Sequence, residues 1–236
     1  MFTDFMLNVD DVVISLAHAR TRIGRVSVAE EVADLLRERI IEGVDEPGTQ
    51  LLETEIADQL AISRNTLREA FRLLGHERLL EHRRNRGVFV RVLSAEDVAD
   101  LYRVRRVIEV AAVRRSKEAP PAVLASIKEA VADAERAAAQ DDWKAVGTAN
   151  SRFHQALVTL NQSPRLDESM RHLLAELRLV FHVMKNPRSF HEPFVARNRE
   201  LLALIEAGEG QAAAGYLESY LDEAEQMLLR AYEPTG

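Results

Sequence analysis

Cysteine is absent from this chain of 236 residues. Its absence excludes disulfide bonds, thiolate metal sites and a cysteine nucleophile, and it suits a protein of the reducing cytoplasm. Long apolar runs are also missing, because none approaches the roughly 20 residues that cross a bilayer. Residues 1–13 carry acids where a secretory signal peptide carries positive charge. We therefore expect a cytoplasmic protein without membrane association.

The motifs of common enzyme classes are likewise missing. The sequence contains no GxSxG elbow, phosphate-binding glycine loop, HExxH pair or dinucleotide fingerprint. His154 alone does not make a catalytic set. We therefore expect a protein that is not an enzyme and has no catalytic residues.

Positive charge is present, but it is unevenly distributed. The net charge is −7, and residues 1–92 hold 13 basic and 16 acidic side chains. Between Ile62 and Arg91, however, eight arginines stand against three acids. Because the distribution of charge matters more than its total for nucleic-acid binding, this basic segment is a candidate interface.

Helical periodicity begins at Ser27. Apolar residues then recur at spacings of three and four, which predicts a helix with one buried face. They are Val28, Val32, Leu35, Leu36 and Ile40. Gly43 is predicted to end this helix, and a second, short helix is expected from Glu53 to Leu60. A third helix begins at Ser63, whose hydroxyl can cap exposed backbone amides.

Two short strands are predicted next, Leu79–Leu80 and Val88–Val92, around a basic turn that ends at Gly87. Three helices followed by a basic hairpin make a winged helix-turn-helix. A capping box at Ser94 to Asp97 then opens a region in which apolar periodicity predicts about six further helices.

The predicted fold is mainly α, and it divides into three parts. Residues 1–25 show no clean period and are read as an N-terminal extension. Residues 26–92 form the winged helix-turn-helix with its small β-hairpin. Residues 93–236 form an all-α bundle.

The third helix is predicted to present arginine on one face. Arg64, Arg68 and Arg72 recur every four residues, so they share a face opposite the apolar stripe that includes Leu67 and Phe71. The start of such a recognition helix reads base edges in the major groove, and an arginine fork can pair with guanine O6 and N7. A charged stripe by itself is more often only a solvated face. Its position between a capped turn and a basic hairpin favours DNA binding.

Other polar residues of this region extend the candidate interface. Ser63 and Thr66 offer hydroxyl groups to phosphates, and Asn65 lies beside the arginine face. On the hairpin, arginines can follow the DNA backbone or enter the minor groove. These arginines are Arg83, Arg84 and Arg86.

The stretch PGTQLLETEIADQLAISRNTLREAFRLLGHERLLEHRRNRGVFV, residues 47–90, resembles the DNA-binding domain of the GntR family of bacterial transcription regulators. The similarity extends from Val28 to Val92, and SRNTLREA is its most specific part. It implies DNA contacts by the residues at matching positions. These are Arg64, Thr66, Arg68 and the wing-tip pair Arg86 and Gly87.

The helical region resembles the FadR-type (FCD) effector-binding domain. LYRVRRVIEVAA (101–112), NSRFHQAL (150–157) and the last two helices carry this similarity. It implies a small organic acid or acyl effector bound in the bundle, often beside a divalent metal. The usual metal set is an aspartate, a histidine four residues later and two further histidines. Residues i and i+4 share a helical face and can close on one ion, for which imidazole suits zinc or nickel.

Only one strong ligand of that set remains in this chain. The four positions hold Asn150, His154, Asn198 and Tyr220. Two amides, a phenol and one imidazole bring no negative charge, so the sequence disfavours a metal cofactor, and only His154 would bind one weakly. The same four residues, with Arg105, are instead candidates for binding a carboxylate-bearing effector directly.

Simpler explanations exist for several of these residues. Arg105 can pair with Glu109 one turn along its helix. His154 and Tyr220 can be ordinary packing residues, and His172, His182 and His191 are expected at the surface.

Taken together, the sequence predicts a DNA-binding transcription regulator. We expect a homodimeric repressor that binds a near-palindromic operator, because two-fold protein symmetry matches a palindrome. A small organic acid bound in the bundle would control its operator affinity. The alternative is an effector-blind DNA-binding protein whose bundle only dimerises.

Overall fold

A computed structural model describes residues 27–183 and 187–232. The predicted extension, residues 1–25, lies outside the described residues. The described chain is mainly helical with one small sheet, as predicted. In the described ranges, no helix combines the length and the apolar character needed to span a bilayer.

The first helix, α1 (Val28–Glu42), starts at a capping box of Ser27 and Glu30 and ends at Gly43, whose φ of 78° is left-handed. Its core face is formed by Val32, Leu36 and Ile40 together with two alanines. The prediction was wrong for two apolar residues, Val28 and Leu35, which are exposed.

The helix-turn-helix consists of α2 (Glu53–Gln59) and α3 (Arg64–His76), with Ser63 as the N-cap of α3. The apolar stripe of α3 is fully buried, as its spacing predicted. It comprises Leu67, Ala70, Phe71 and Leu74. Because that stripe packs inward, the arginines on the opposite face of α3 are held toward solvent.

The sheet has three antiparallel strands in the order β1 (Gln50–Leu51), β3 (Gly87–Val90), β2 (Leu80–Arg83). The sequence predicted the hairpin of β2 and β3, with ends that differ by one to three residues. It missed β1, which at two residues is too short for a periodic signal. Arg83 pairs with Gly87 at the closed end, and Asn85 in the turn has a φ of 61°.

Within residues 95–183 and 187–232, six α-helices follow β3, in agreement with the predicted bundle. They are α4 (Ala95–Val113), α5 (Pro121–Ala139), α6 (Trp143–Thr159), α7 (Pro164–Val183), α8 (Pro187–Glu206) and α9 (Gly210–Arg230). A short 3₁₀ helix, Ser116–Glu118, lies between α4 and α5. The predicted capping box is present, because the Ser94 hydroxyl accepts from the Asp97 amide at 3.1 Å and the Asp97 carboxylate accepts from the Ser94 amide at 2.9 Å.

The two regions share one continuous apolar core among the described residues. A polar contact also joins them. Arg91, just after β3, donates to the nearly buried Glu176 of α7 at 2.7 Å and also pairs with Asp97 near the start of α4. The winged helix-turn-helix is therefore attached to the bundle through α7.

Candidate DNA interface and ligand cavity

The start of α3 is fixed by two hydroxyl groups. Ser63 Oγ accepts from the Thr66 amide at 3.1 Å, and the two hydroxyl oxygens lie 2.8 Å apart. Ser63 and Asn65 are exposed and Thr66 is half-buried. The cap therefore holds the first turn in place and leaves polar groups at the surface that phosphate oxygens can reach.

All three arginines of the predicted face are exposed, but their surroundings differ. Arg68 donates to Glu53 at 2.9 and 3.0 Å, and Arg72 is paired with Glu69. Arg64 has no carboxylate or hydrogen-bond partner within the described part of the chain. It is therefore available to an anion without first giving up an ion pair, whereas Arg68 and Arg72 would have to release a carboxylate.

The tip of the wing is exposed and shaped by a side chain from β1. Gln50 donates from Nε2 to the Arg86 carbonyl at 2.7 Å. A Cβ at Gly87, where φ is 101°, would lie 3.1 Å from the same Gln50 nitrogen. Arg84 and Arg86 lie at this turn and are exposed. Arg83 forms an ion pair with Glu81. The wing therefore exposes two arginines, Arg84 and Arg86, whose side chains have no ion-pair partner among the described residues. The turn that carries them is stabilised by the hydrogen bond from Gln50.

The five residues predicted for an effector site meet inside the bundle. Arg105 comes from α4, Asn150 and His154 from α6, Asn198 from α8 and Tyr220 from α9. His154 Nε2 lies 3.2 Å from the Tyr220 hydroxyl, which lies 3.2 Å from Asn150 Oδ1. Asn198 Nδ2 donates to the same Asn150 oxygen at 2.8 Å. Four helices of the bundle, α4, α6, α8 and α9, therefore bring these five side chains together in its interior.

Glu109 completes this group, and sequence reasoning treated it only as a partner for Arg105. Arg105 Nε donates to Glu109 Oε1 at 2.6 Å, and His154 Nδ1 lies 2.6 Å from Glu109 Oε2. Arg105 is 2% exposed and Glu109 is fully buried. The signal was the spacing of four residues between them, which cannot show whether the pair faces the core or the solvent.

Burial and charge set the protonation of this group. Burial lowers the pKa of His154, and the nearby Glu109 only partly offsets this. Burial acts to raise the pKa of Glu109, but the charge of Arg105 and the hydrogen bonds from His154 and Arg105 hold it below its ordinary value. At neutral pH, Glu109 is therefore an anion, Arg105 is a cation and His154 is neutral, with its Nδ1 proton donated to Glu109.

The cavity enclosed by these side chains is small. Its volume is about 10 Å³, which is room for about one water molecule. Three buried atoms around this group have no hydrogen-bond partner in the structure: the Tyr102 hydroxyl, Arg105 Nη2 and Asn198 Oδ1. They offer two donors and one acceptor to a ligand, but a ligand larger than water must move the walls.

A divalent metal does not fit these residues. Glu109 and His154 are the only strong ligands of the group, and they are bound to each other. The Arg105 guanidinium, on the other carboxylate oxygen, would repel a cation. Across the described ranges, no three His, Cys, Asp or Glu side chains are grouped to hold an ion. The positive charge of this group is that of the Arg105 guanidinium.

The expected surface position was wrong for His191, which is 3% exposed. Its ring packs against Phe181 and Phe190, with centroids 4.9 and 5.1 Å away. His172 is half-buried, and the side chain of His182 lies outside the described residues. Histidines spaced irregularly along helices carry no sequence signal of burial, since the packing of α7 against α8 decides it.

Replacing His191 with glutamine should make the protein less sensitive to acid. Burial, with the Arg178 charge nearby, lowers the pKa of His191 to about 4, from about 6.5 in the unfolded chain. Between pH 6.5 and pH 4 only the unfolded chain takes up the proton. The contribution of His191 to the free energy of unfolding is therefore fully present above pH 6.5 and is lost as the pH falls toward 4. This one group should remove roughly 3 kcal/mol over that window.

Urea unfolding at several pH values measures the effect. His191→Gln should show a smaller loss of unfolding free energy on acidification than the wild type, and His172→Gln should show the wild-type loss. Identical pH profiles for all three proteins would contradict the assignment.

Comparison with known proteins connects both halves to one family. Residues 28–90 match the family described as bacterial regulatory proteins, gntR family, and residues 100–223 match the FCD domain. A solved structure described as a transcriptional regulator GntR from Rhodococcus sp. RHA1 is 46% identical. The match covers 88% of this chain and all of that one, with a TM-score of 0.81.

Two curated relatives agree with this. The Nta operon transcriptional regulator of Aminobacter aminovorans is 32% identical over 56% of this chain. This chain spans only 63% of that protein's length. The probable D-xylose utilization operon transcriptional repressor of Paenarthrobacter nicotinovorans is 26% identical, over 81% of this chain and 84% of the relative.

The family is one of transcription regulators, not of enzymes. The matched ranges coincide with the winged helix-turn-helix and with most of the six-helix bundle described above. The chain belongs to the GntR family of bacterial regulatory proteins, and its helical bundle is an FCD domain.

Proposed function

We propose that this protein is a transcription regulator of the cytoplasm that binds a near-palindromic operator as a homodimer. The observation that carries the proposal is the exposed arginine face of α3, which follows a capped turn and is flanked by the two free arginines of the wing. In this arrangement the start of α3 enters the major groove and the wing follows the adjacent backbone. We place the boundary between the DNA-binding and helical domains at residues 92–93.

Each predicted residue has a role in this proposal. Arg64 reads a base edge, since it is exposed and has no ion-pair partner to give up. Arg68 and Arg72 bind phosphates or bases after releasing their carboxylates. The hydroxyl groups of Ser63 and Thr66, the Asn65 amide and the wing tip bind the backbone. The wing-tip contributors are Arg84, Arg86 and the Gly87 amide.

We further propose that a small carboxylate-bearing effector controls operator affinity from within the bundle. Arg105 Nη2 is buried and without a partner, so it can donate to an anion. His154, Tyr220, Asn150 and Asn198 supply the neighbouring polar atoms. The relative from Paenarthrobacter nicotinovorans is named as a repressor, and we propose repression here too. The small cavity favours one alternative, an effector-blind regulator whose bundle only dimerises.

Selection from random duplex DNA tests this function. The wild-type protein should enrich a near-palindrome whose half-sites lie about one helical turn apart, and sedimentation should show two chains per duplex. Arg115→Ala, at an exposed arginine of the bundle, should enrich the same sequence. Failure of the wild-type protein to enrich any sequence would contradict the proposal. Release of the selected operator by a small organic acid would separate the effector-controlled protein from the effector-blind alternative.

A further inference from the structure

A second, larger cavity lies between the two halves of the molecule. Its volume is about 480 Å³, and it is lined by α1 on one side and by α6 and α7 on the other. Ser151 and Leu174 line both this interdomain cleft and the small central cavity, so the two spaces are neighbours. The volume is in the range of small-molecule sites, roughly 300–1,000 Å³.

Arg178 of α7 stands out among the residues that line this cleft. Its side chain is nearly buried, with the residue 9% exposed. No carboxylate or hydrogen-bond acceptor contacts its guanidinium among the described residues. The other arginines of the cleft each have a carboxylate partner: Arg37 with Glu77, Arg152 with Asp133 and Arg171 with Glu168. An unpaired buried cation is costly, so Arg178 calls for an anion.

The fold around Arg178 makes room for it. A Cβ at Gly147 of α6 would lie 2.9 Å from Arg178 Nη1 and 2.8 Å from His191 Nε2. A glycine inside a helix costs about 1 kcal/mol relative to alanine, so this one has a packing reason. Burial and the charge of Arg178 lower the pKa of His191, which leaves the histidine neutral beside the guanidinium. His191 therefore does not compete for the anion.

Other residues that line the cleft add polar and apolar surface. Gln155 lines the cleft, and its Oε1 is buried without a hydrogen-bond partner. Ile41 of α1, with Leu174 and Ala175 of α7, supplies apolar surface. A ligand with a charged head and an apolar body matches this combination.

We propose that the interdomain cleft binds a small organic monoanion, with its carboxylate on Arg178 and its apolar body against Ile41, Leu174 and Ala175. This site is distinct from the effector cavity around Arg105, which lies in the interior of the bundle. Because its walls come from both halves, a bound anion contacts the first helix of the DNA-binding domain directly. The ligand would thereby fix the position of α1 relative to α7.

A fluorinated probe tests the proposal on the full chain. Titration of 4-fluorobenzoate, followed by fluorine NMR, should show saturable binding with a dissociation constant of about 1 mM or tighter. The neutral analogue 4-fluorobenzamide should not bind. Arg178→Met should weaken binding of the carboxylate at least tenfold, and Thr148→Trp, at an exposed residue of the cleft wall, should also weaken it by filling the space. Arg171→Met removes one charge from the rim of the same cleft and should leave the affinity for the carboxylate unchanged.

Thermal unfolding separates a binding arginine from a structural one. Because Arg178→Met removes an unpaired buried charge, its midpoint should equal that of the wild type or exceed it by roughly 2–4 °C. The proposal is overturned by any of three results: no saturable binding by the wild type, wild-type affinity in Arg178→Met, or a lowered midpoint for that variant. No DNA is present in these measurements, so their outcome is independent of operator binding.

Discussion

Replacing Arg64 with alanine is expected to weaken operator binding more than any other single change on α3. Arg64 is exposed at the first turn of the helix and has no ion pair to release, so its whole interaction with DNA is gained on binding. A bidentate contact with guanine discriminates by about 1–3 kcal/mol, which is roughly 5- to 150-fold per half-site. Since a dimer carries two copies, selective binding should be lost while weak, salt-sensitive binding remains.

Gel shifts with the selected operator and with scrambled DNA measure this difference. Arg64→Ala should bind both duplexes alike. Arg68→Ala should also lose selectivity, but its loss should be partly offset because the wild type must first break the ion pair with Glu53. Arg115→Ala provides the control. Wild-type selectivity in Arg64→Ala would refute the assignment of α3 as the recognition helix.

Breaking the ion pair at the centre of the bundle is expected to have the largest effect on stability. Glu109→Gln keeps the size of the side chain but leaves the Arg105 guanidinium buried without its counter-charge. Removing one partner of a buried pair costs about 3–5 kcal/mol, a large part of the stability of an ordinary domain. Arg105→Met should cost a similar amount, because it leaves the Glu109 carboxylate unpaired.

The double variant Arg105→Met, Glu109→Gln should be more stable than either single variant, since no unpaired charge remains. Urea unfolding followed at Trp143, the one tryptophan of the chain and the first residue of α6, reports on the bundle. Strictly additive losses would show that the two charges do not stabilise each other. Both single variants should keep operator affinity at temperatures where they remain folded, because neither residue is near α3.

The sequence predicts local elements well where a short motif carries them. The Ser63 cap, the four-residue stripe of α3 and the Ser94 capping box depend on neighbours in the chain, and each is present as predicted. The sequence is less informative about how deeply each residue is buried. Val28 and Leu35 continue the apolar period of α1 but lie beyond the surface that α3 and α7 cover, so they remain exposed.

The same difference applies to the candidate sites, where the sequence predicted the residues that belong to a motif but not the burial or the partners of the others. Positions matched through the FCD resemblance, including His154 and Tyr220, meet in the bundle as expected. The burial of His191 was misjudged because a single titratable residue on a helix has no pattern that reveals its depth. Glu109 is the predicted partner of Arg105, but its contact with His154, 45 residues along the chain, has no local sequence signal. Arg178 lay outside every motif, and only the packing of α6 against α7 shows that it is buried without a counter-charge.

The attachment of Arg91 to Glu176 gives α7 a mechanical role. Three neighbouring positions of this helix face different parts of the molecule: Glu176 fastens the end of the wing, Leu177 lines the central cavity and Arg178 lines the cleft. Because close-packed interiors have low compressibility and transmit strain, we expect a displacement at one of these positions to reach the others. We therefore expect Glu176 to pass a displacement of α7 on to Arg91 and so to the end of the wing.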